Sequence, residues 1–577
     1  MENSDIARLL SEIADLLEIQ GDPNPFRIRS YQKGAEAIES YAGSVERLAA
    51  DEDPRKLLEI PGVGASIAGK IREICATGDC QERKRLLEQT PASLLELLSL
   101  QNLGPRKINL FHRTLQIRTL DDLERAARAQ TLRALPGMGE KSEQKILQSI
   151  EQYRRSRGRM RLSDAMEICD DLVSWLRSSA ALDHIEVAGS LRRRRETIGD
   201  IDILVTCKQP GAVLNAFTAF RDVQEVLGHG ETKASVLLGR GLQADLRVLP
   251  DESFGAALQY FTGSKTHNIA LRERARSRGY KVSEYGVFTV GDDRRVAGAT
   301  EEEIYRLLGL DFIPPELRED LGEIEAAEEH TLPELLERHH IRGDLHSHTT
   351  ATDGHNSIEE MAHAAEALGY EYLAITDHSK AVAMTGGLDE ARLLKHVEAI
   401  EQVQKSFKTI RLLKGIEVDI LADGSLDLDD SVLQGLDVVV ASVHSRMNME
   451  RAEMTARICR ALRNPNVDIL GHPTGRILRR RDAYLIDIEE VVRVACQEGV
   501  ALELNSNPAR LDLSDVHCRL ARDSGVPVVV STDAHSTSTF EHIEYGVSTA
   551  RRGWLGPGNV LNTLPLDELL RRLKGRG

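Results

Sequence analysis

The sequence predicts a multidomain chain of mixed α+β and α/β class. Residues 1–50 read as amphipathic helices, and helical patterns with three similar glycine-containing turns follow as far as residue 160. Residues 162–250 alternate helical and strand patterns around two aspartates in one apolar run. From residue 341, seven short apolar runs end in polar residues, which is typical of a parallel βα barrel. We therefore expect helical, mixed and barrel regions in that order.

Composition places the chain among ordinary globular proteins. Apolar residues make up 41% and charged residues 29%. No run approaches the roughly 18 apolar residues of a membrane span, and the start lacks a signal-peptide pattern. The seven scattered cysteines contain no CxxC pair, which indicates a reducing compartment. We expect a cytoplasmic protein without a membrane partner.

Charge and histidine are distributed unevenly along the chain. A formal net charge of −17 would argue against nucleic acid, yet residues 101–160 hold 13 Lys/Arg against 6 Asp/Glu. Of the 18 histidines, 12 lie at or beyond His340. The two halves therefore have different chemistry.

Three similar turns occupy residues 58–64, 100–106 and 135–141. Each lies between helical patterns, so it can present backbone N–H groups at the start of the second helix to a DNA phosphate. A single copy could be a plain helix–helix connection. Three copies beside a basic stretch predict DNA binding, with these candidate residues: Gly62, Gly64, Gly104, Arg106, Gly137, Gly139 and Lys141.

The mixed region is centred on Asp200 and Asp202. They lie in the apolar run 198–205, which reads as a strand, so both side chains point to one face. Asp245 lies in a second alternating run, 242–248. Grouped carboxylates suit Mg²⁺ with substrate phosphates, so we predict a two-metal nucleotidyl-transfer site. The alternative is a solvated acidic edge strand.

A small-residue turn precedes the aspartates. Gly189 and Ser190 end the run 185–188 and lead into the basic residues 191–195, which favours phosphate binding. Further along, Tyr260 and Phe261 precede a second Gly-Ser pair. They are either core aromatics or the wall of a nucleotide sugar site.

Pro314 and Pro315 end the mixed region, because proline stops helices. Residues 319–340 are acidic and helix-prone, and we expect a linker that separates two active sites.

The seven runs of the last region lead to histidines and carboxylates. Functional residues of a βα barrel gather at the C-terminal ends of its strands, so these ends would converge. Imidazoles with carboxylates suit Zn²⁺, Mn²⁺ or Fe²⁺. This many ligands imply two or three metals and hydrolysis of a phosphate ester. The candidate ligands are His346, His348, Asp353, His378, Glu417, His444, His472, Asp533 and His535.

These residues together resemble a known architecture. Residues up to about 318 resemble a family X DNA polymerase, and the rest resembles a polymerase-and-histidinol-phosphatase (PHP) domain, a fusion found in bacteria. The resemblance implies a lyase-like helix-hairpin-helix domain (1–83), fingers with two such hairpins (84–157), a nucleotidyltransferase palm (158–258), a thumb (259–318), a linker (319–340) and a distorted (β/α)₇ PHP barrel (341–577).

The resemblance also assigns roles in the palm and thumb. Asp200 and Asp202 are implied to hold two Mg²⁺ ions, and Asp245 completes the triad. The implied nucleotide-binding residues are Gly189, Ser190, Arg193, Gly199, Tyr260, Phe261, Gly263, Asn268 and Arg272. Tyr260 and Phe261 are implied to face the sugar. Ile198 departs from the family pattern, in which a phosphate-binding serine is common.

In the barrel, all nine of the family's ligands are present, which implies an active hydrolase with two or three Zn²⁺ or Mn²⁺ ions. Arg446 and Arg476 are candidates for phosphate contact. The implied activities are 3′–5′ exonuclease or 3′-end processing, and abasic-site cleavage. Lys70 stands where some family members carry a lyase lysine, although Ser66 and Phe26 depart from that pattern.

We therefore expect a monomeric DNA repair polymerase that uses gapped or primed DNA, dNTPs and metal ions. One alternative is a DNA-binding module fused to a small-molecule PHP phosphatase. Another is a nucleotidyltransferase that acts on RNA or antibiotics, because Gly-Ser with Asp-x-Asp occurs in that wider superfamily.

Overall fold

A computed structural model describes residues 3–39, 45–51, 53, 55–60, 62–98, 100, 103–156, 159–382 and 385–574. The chain forms two compact units. The first is residues 1–157 with 479–482, and the second is residues 158–478 with 483–577. Among the described helices, none is long and apolar enough to cross a membrane.

The first unit is helical. Two apolar clusters hold it together, one around Leu10, Ile13 and Ile67 and the other around Ile108 and Phe111. Its helices are α1 Asn3–Gln20, α2 Pro25–Glu39, α3 Val45–Ala49, α4 Ala65–Thr77, α5 Gln81–Gln89, α6 Ser93–Leu97, α7 Pro105–Leu115, α8 Leu120–Arg128 and α9 Glu140–Ser156.

The second unit begins with the predicted palm, a five-stranded sheet flanked by helices. Its strand order is β2–β4–β7–β6–β5, and β4 pairs in parallel with β7. The elements are β1 Met160–Arg161, α10 Leu162–Ser179, β2 His184–Val187, α11 Gly189–Arg192, β3 Thr197–Ile198, β4 Asp200–Thr206, α12 Pro210–Thr218, β5 Val223–His229, β6 Lys233–Leu238 and β7 Gln243–Val248.

The predicted thumb follows the palm. It combines helices with a three-stranded antiparallel sheet, in the order β10–β9–β8. Its elements are α13 Phe254–Thr262, α14 Lys265–Ser277, β8 Tyr280–Ser283, β9 Gly286–Thr289, β10 Arg295–Ala297 and α15 Glu301–Leu307.

The acidic segment 319–340 differs from the expected separating linker. It contains one short helix, α16 Glu323–Glu328, and Ile324, Ala327 and Leu335 pack in the thumb's apolar cluster together with Trp554. Its acids have partners: Oε1 of Glu323 lies 2.6 Å from Nδ1 of the buried His267. The acidic pattern was misleading because these carboxylates pair with cations and imidazoles of the fold.

The last region is a seven-stranded parallel sheet in sequential order, β11 to β17, as the seven runs predict. A parallel bridge between Ser347 and Ala534 connects the chain after the first strand to the chain after the last, so the sheet is a nearly closed barrel. The strands are β11 Gly343–Asp344, β12 Tyr372–Ile375, β13 Arg411–Asp419, β14 Val438–Ser442, β15 Ile469–Leu470, β16 Ala501–Asn505 and β17 Val528–Ser531.

Helices surround this barrel and cover its apolar strands. They are α17 Ile358–Ala367, α18 Glu390–Gln404, α19 Asp430–Leu433, α20 Arg451–Leu462, α21 Ile488–Glu498, α22 Asp515–Asp523, α23 Ile543–Arg552 and α24 Leu566–Lys574.

Candidate metal centres and DNA-binding turns

The three palm aspartates lie together. Asp200 and Asp202 are two residues apart on β4, and Asp202 is the register partner of Asp245 on the parallel strand β7. Lys233 lies 3.6 Å from Asp245. Burial, followed by the charges of Asp200 and Asp245, raises the pKa of Asp202 to about 6. Such a cluster favours a divalent cation, which would relieve the repulsion between carboxylates.

The backbone at Gly189 lies directly against the aspartate cluster. Its φ is +66°, and a Cβ there would lie 2.6 Å from Oδ2 of Asp202. The main-chain N–H of Ala188 also donates to the carbonyl of Asp202 at 2.8 Å. The turn at residues 189–190 is therefore fixed to the aspartate strand, and only glycine fits at its first position.

The predicted phosphate ligand Arg193 follows α11. Its Nε donates to Oε1 of Glu319 at 3.1 Å, and its Nη1 donates to the carbonyl of Thr262. Gly263 lies against the same side chain, because a Cβ there would be 3.1 Å from Nη1 of Arg193. The guanidinium is thus held between palm and thumb.

The remaining nucleotide candidates surround the helices α13 and α14. The rings of Tyr260 and Phe261 meet edge to face at 5.2 Å, and the guanidinium of Arg247 lies 4.4 Å from the Phe261 ring centroid. The side-chain amide of Asn268 donates to the carbonyl of Tyr260 at 2.7 Å. Arg272 is exposed and donates to the carbonyl of Asn268 at 3.1 Å. Ser190 lies in α11, and Gly199 separates β3 from β4.

The three predicted turns share one geometry. In each turn, the carbonyl of Ile60, Leu100 or Leu135 accepts a hydrogen bond, at 3.0 to 3.3 Å, from the main-chain N–H three residues later. The carbonyl of Gly64, Gly104 or Gly139 then accepts the first main-chain hydrogen bond of the helix that follows each turn. Helices α4, α7 and α9 therefore begin directly after a glycine, and the first N–H of α7 is that of Arg106 because Pro105 has none.

The helix-start glycines have no internal reason to lack a side chain. A Cβ at Gly64, Gly104 or Gly139 would have no atom of a described residue within 4 Å. Gly62 and Gly137, by contrast, have φ of +93° and +72°, which the turn requires. Open glycines at helix starts suit the close approach of a phosphate backbone. Arg106 and Lys141 lie exposed at the starts of α7 and α9.

Lys70 lies on α4, separate from the hairpin turns. Its Nζ is 3.3 Å from Oε2 of Glu73, one turn along the helix. The side chain is one-quarter exposed, so a small aldehyde could reach it.

The barrel ligands converge at the C-terminal ends of the strands. Their potential ligand atoms form three groups, each within 4.8 Å. His348 and His378 each belong to two groups. The groups are His348, Asp353, His378 and His535; then His346, His348 and Asp533; then His378, Glu417 and His444.

Glu417 lies at the centre of the barrel cluster. Its carboxylate is 2.8 Å from Nδ1 of His378, 3.2 Å from Nε2 of His444 and 3.0 Å from Nε2 of His472. Although burial opposes ionisation, the imidazoles hold the pKa of Glu417 well below its usual value. Burial and neighbouring imidazoles lower the pKa of His348 to about 4, which keeps this ring neutral and able to bind a metal.

Several ring nitrogens in the cluster are buried without a hydrogen-bond partner. Among the described residues, they include Nε2 of His346 and both ring nitrogens of His348. Buried polar atoms normally have partners, so the donor set fits metal ions.

Supporting carboxylates orient these ligands, and the sequence interpretation missed them. Oε1 of Glu503 accepts from Nδ1 of His346 at 2.6 Å, and Oε2 accepts from the main-chain N–H of His472 at 2.6 Å. Asp419 lies 3.1 Å from Nδ1 of His444. Such partners fix the ring so that its second nitrogen faces the metal. The available signal was spacing: Asp419 lies two residues beyond Glu417 on one strand.

Of the two arginines expected near phosphate, Arg446 is exposed beside His444. Arg476 is used elsewhere: it donates to Glu196 of the palm at 2.8 Å and to the carbonyls of Arg510 and Leu511. Its guanidinium thus lies toward the palm loop at Glu196, and phosphate contact by Arg476 stays a prediction. Arg510 instead lies 3.9 Å from Asp533.

Palm, thumb, hairpins and barrel together define a DNA polymerase of family X joined to a PHP domain. Family models agree along the chain: a helix-hairpin-helix domain matches residues 1–80, a SAM-like helix-hairpin-helix tandem matches 94–152, the DNA polymerase beta thumb matches 257–319 and the PHP domain matches 344–507.

Similarity over the full length identifies the branch of family X to which the chain belongs. The DNA polymerase/3′-5′ exonuclease PolX of Bacillus subtilis (strain 168) is 38% identical over 576 residues, covering 100% of both chains. The chain belongs to the bacterial family X DNA polymerases with a C-terminal PHP domain.

The barrel alone has further relatives. A probable phosphatase of Thermoanaerobacter sp. (strain X514) is 31% identical over 232 residues, which are 38% of this chain and 89% of that protein. A probable phosphatase of Acetivibrio thermocellus is 34% identical over 202 residues, which are 33% of this chain and 78% of that protein.

Proposed function

We propose that this chain is a DNA polymerase and 3′–5′ exonuclease that fills gaps during DNA repair. The palm extends a primer strand with dNTPs, and the PHP barrel removes nucleotides or blocking groups from 3′ ends. The observation that carries the proposal is the presence of two distinct ligand clusters in one chain, a carboxylate triad on β4 and β7 and an imidazole-rich cluster in the barrel.

In the palm, Asp200 and Asp202 would hold two Mg²⁺ ions when a nucleotide is bound. These ions would offset the phosphate charge and favour in-line attack by the primer 3′ oxygen. Asp245 receives the proton of that hydroxyl or orients it. Ser190 and Arg193 bind the triphosphate, and Tyr260 and Phe261 exclude a ribose 2′-hydroxyl by contact with the sugar.

In the barrel, the nine histidine and carboxylate ligands hold two or three Zn²⁺ or Mn²⁺ ions. When bound, such ions would activate water for attack on a phosphodiester near neutral pH. Glu417 links the imidazoles, and His348, neutral because of its low pKa, is ready to bind without first losing a proton. Abasic-site cleavage would use the same ligands.

DNA is held without sequence preference by the three hairpins. Their glycines present helix N–H groups to phosphates, and Arg106 and Lys141 add charge. Lys70 is the candidate for lyase chemistry. Borohydride reduction in the presence of a 5′-deoxyribose-phosphate end should trap the wild-type chain and spare Lys70→Ala; equal trapping of both would reject Lys70.

The central test uses two variants of the full chain. Asp202→Asn should abolish single-nucleotide gap filling and leave 3′-end degradation intact, whereas Glu417→Gln should do the reverse. Both replacements keep side-chain volume, so thermal melting serves as a folding control. Loss of both activities in either variant would show that the clusters do not work as separate sites.

The similarity of the barrel to probable phosphatases favours a second candidate, hydrolysis of small phosphate monoesters. Rates on a 3′-recessed duplex and on a monoester such as p-nitrophenyl phosphate distinguish the two. Faster turnover of the monoester, at equal concentration, would assign the barrel to small molecules.

A further inference from the structure

The loop that joins α11 to β3, residues 193–196, is held from the barrel. It carries Arg193 and leads directly to the metal-binding strand. Arg552, the last residue of α23, donates from Nη1 to the main-chain carbonyl of Arg193 at 2.8 Å. Arg476, four residues after His472, donates from Nη2 to Oε2 of Glu196 at 2.8 Å. Two barrel arginines therefore hold the two ends of one palm loop.

Glu319 joins the barrel to the Arg193 side chain as well. One oxygen, Oε1, accepts from Nε of Arg193 at 3.1 Å and from Nη1 of Arg552 at 3.0 Å. Arg193 also donates to the carbonyl of Thr262. Since two separate nitrogens of its guanidinium are held, the plane of the group is fixed.

Arg552 is itself rigidly placed. Oδ2 of Asp515 accepts from its Nε at 2.9 Å and from its Nη2 at 2.7 Å. The side chain of Arg552 is only 4% exposed. Burial would raise the pKa of Asp515, but the guanidinium lowers it below its usual value, so the pair is charged. A buried, charge-assisted arrangement of this kind allows little movement.

Apolar packing supports the same contact. Tyr545 of α23 packs against the palm's apolar cluster, and Trp554, two residues after α23, is buried in the thumb's cluster. Arg551 donates to Oε1 of Glu316 at 2.8 Å and to the carbonyl of Leu336 at 3.1 Å. Helix α23 is therefore a fixed base for the polar network.

We propose that Arg552 and Arg476 of the PHP barrel are positioning residues of the polymerase site. Arg552 acts through Glu319 and the Arg193 carbonyl, and Arg476 acts through Glu196 at the other end of the loop. Together they orient the Arg193 guanidinium toward the incoming triphosphate. The barrel is thus part of the framework of the nucleotide site, in addition to carrying its own metal cluster. This inference rests on the triphosphate role proposed for Arg193.

The test is steady-state gap filling by the full-length chain with variants Arg552→Gln, Arg476→Gln and Glu319→Gln. The KM for dNTP should rise about tenfold in each, with kcat and the KM for DNA within about twofold, because misplacing a binding group weakens ground-state and transition-state binding alike. Arg571→Gln is the matched control: it removes the same charge from a barrel helix, and its Nε donates only within α24, to the carbonyl of Asp567, among the described residues, so its KM should stay at the wild-type value.

Exonuclease rate and melting temperature accompany each variant. Arg552→Gln should keep its exonuclease, since Arg552 lies outside the barrel's ligand cluster, and Arg552→Lys should recover part of the dNTP affinity. If Arg552→Gln does not fold, Glu319→Gln and Arg476→Gln test the same network from other regions.

The variant Arg193→Ala distinguishes the triphosphate role of Arg193 from the positioning role of the barrel arginines. An unchanged KM for dNTP in that variant would reject the triphosphate role and the inference with it. A raised KM in Arg193→Ala, with Arg552→Gln, Arg476→Gln and Glu319→Gln all equal to Arg571→Gln, would overturn the inference alone.

Discussion

The palm and barrel clusters hold metal ligands in opposite ways. The palm has three carboxylates on two neighbouring strands, and Asp200 is exposed. The barrel has nine histidine and carboxylate side chains at the ends of six strands, and among them His346, His348 and Glu417 are fully buried. An open oxygen site suits Mg²⁺ that arrives with its nucleotide, whereas a buried imidazole cage suits ions that stay with the protein.

This difference indicates how the two activities can coexist in one chain. We expect the palm cluster to need a nucleotide to complete its set of metal ligands. The barrel cluster is assembled by the fold itself and is supported by carboxylates behind its histidines. Variants that damage one cluster should therefore leave the other active.

The largest effect is expected for a ligand shared between groups. His378→Ala removes a member of two of the three barrel groups. Exonuclease activity should fall about 10³-fold, because several kcal/mol of metal-dependent stabilisation are lost. Gap filling should stay within about twofold of wild type. The measurement is release of a labelled 3′ nucleotide.

His444→Ala is the comparison, since His444 belongs to one group only. Its exonuclease loss should be smaller than that of His378→Ala. A larger loss for His444→Ala would mean that the grouping by distance does not describe the working metal sites.

The palm site should depend on the backbone shape at Gly189. Gly189→Ala places a Cβ 2.6 Å from Oδ2 of Asp202, at a φ of +66°. The displaced carboxylate should lower gap filling about 10²-fold without affecting the exonuclease. Gly211→Ala, at a position with no atom within 4 Å of its Cβ, is the control and should be fully active. Equal activity of both variants would show that Gly189 does not shape the site.

Supporting carboxylates should matter less than ligands. Glu503 accepts two N–H groups, and Gln has one acceptor oxygen, so Glu503→Gln leaves one donor without a partner. Metal affinity of the barrel should fall about 10- to 100-fold, measured by competition with a coloured chelator. Glu489→Gln, on the exposed face of α21, should bind metal as the wild type does. An unchanged affinity for Glu503→Gln would exclude an orienting role.

The smallest effect is expected in the hairpins. Arg106→Ala should weaken binding to gapped DNA and reduce the salt slope of log K by about one unit, because one phosphate contact is lost. Arg128→Ala, which removes an exposed arginine paired with Glu124, should leave that slope unchanged. Fluorescence anisotropy at several salt concentrations measures both. Identical slopes would place DNA away from the α7 turn.

Local signatures made much of this architecture predictable. The spacing of Asp200 and Asp202, the repeated turns and the strand-end ligands each encode geometry within a few residues, and β4, α7 and the seven barrel strands form where those patterns lie. Long-range polar partners could not be predicted. Glu319 and Arg552 are 233 residues apart, and an acidic run gives no sign of which cation each acid will meet. The acids of residues 319–340 therefore resembled a solvated linker.

Metal content tests the contrast between the clusters most directly. The wild-type chain, purified and dialysed without chelator, should retain two or three Zn²⁺ or Mn²⁺ ions by elemental analysis. Glu417→Gln should lose most of this metal, while the double variant Asp200→Asn with Asp202→Asn should retain all of it. A wild-type chain without bound metal, or equal loss in the palm variant, would contradict a resident cluster in the barrel and a substrate-dependent one in the palm.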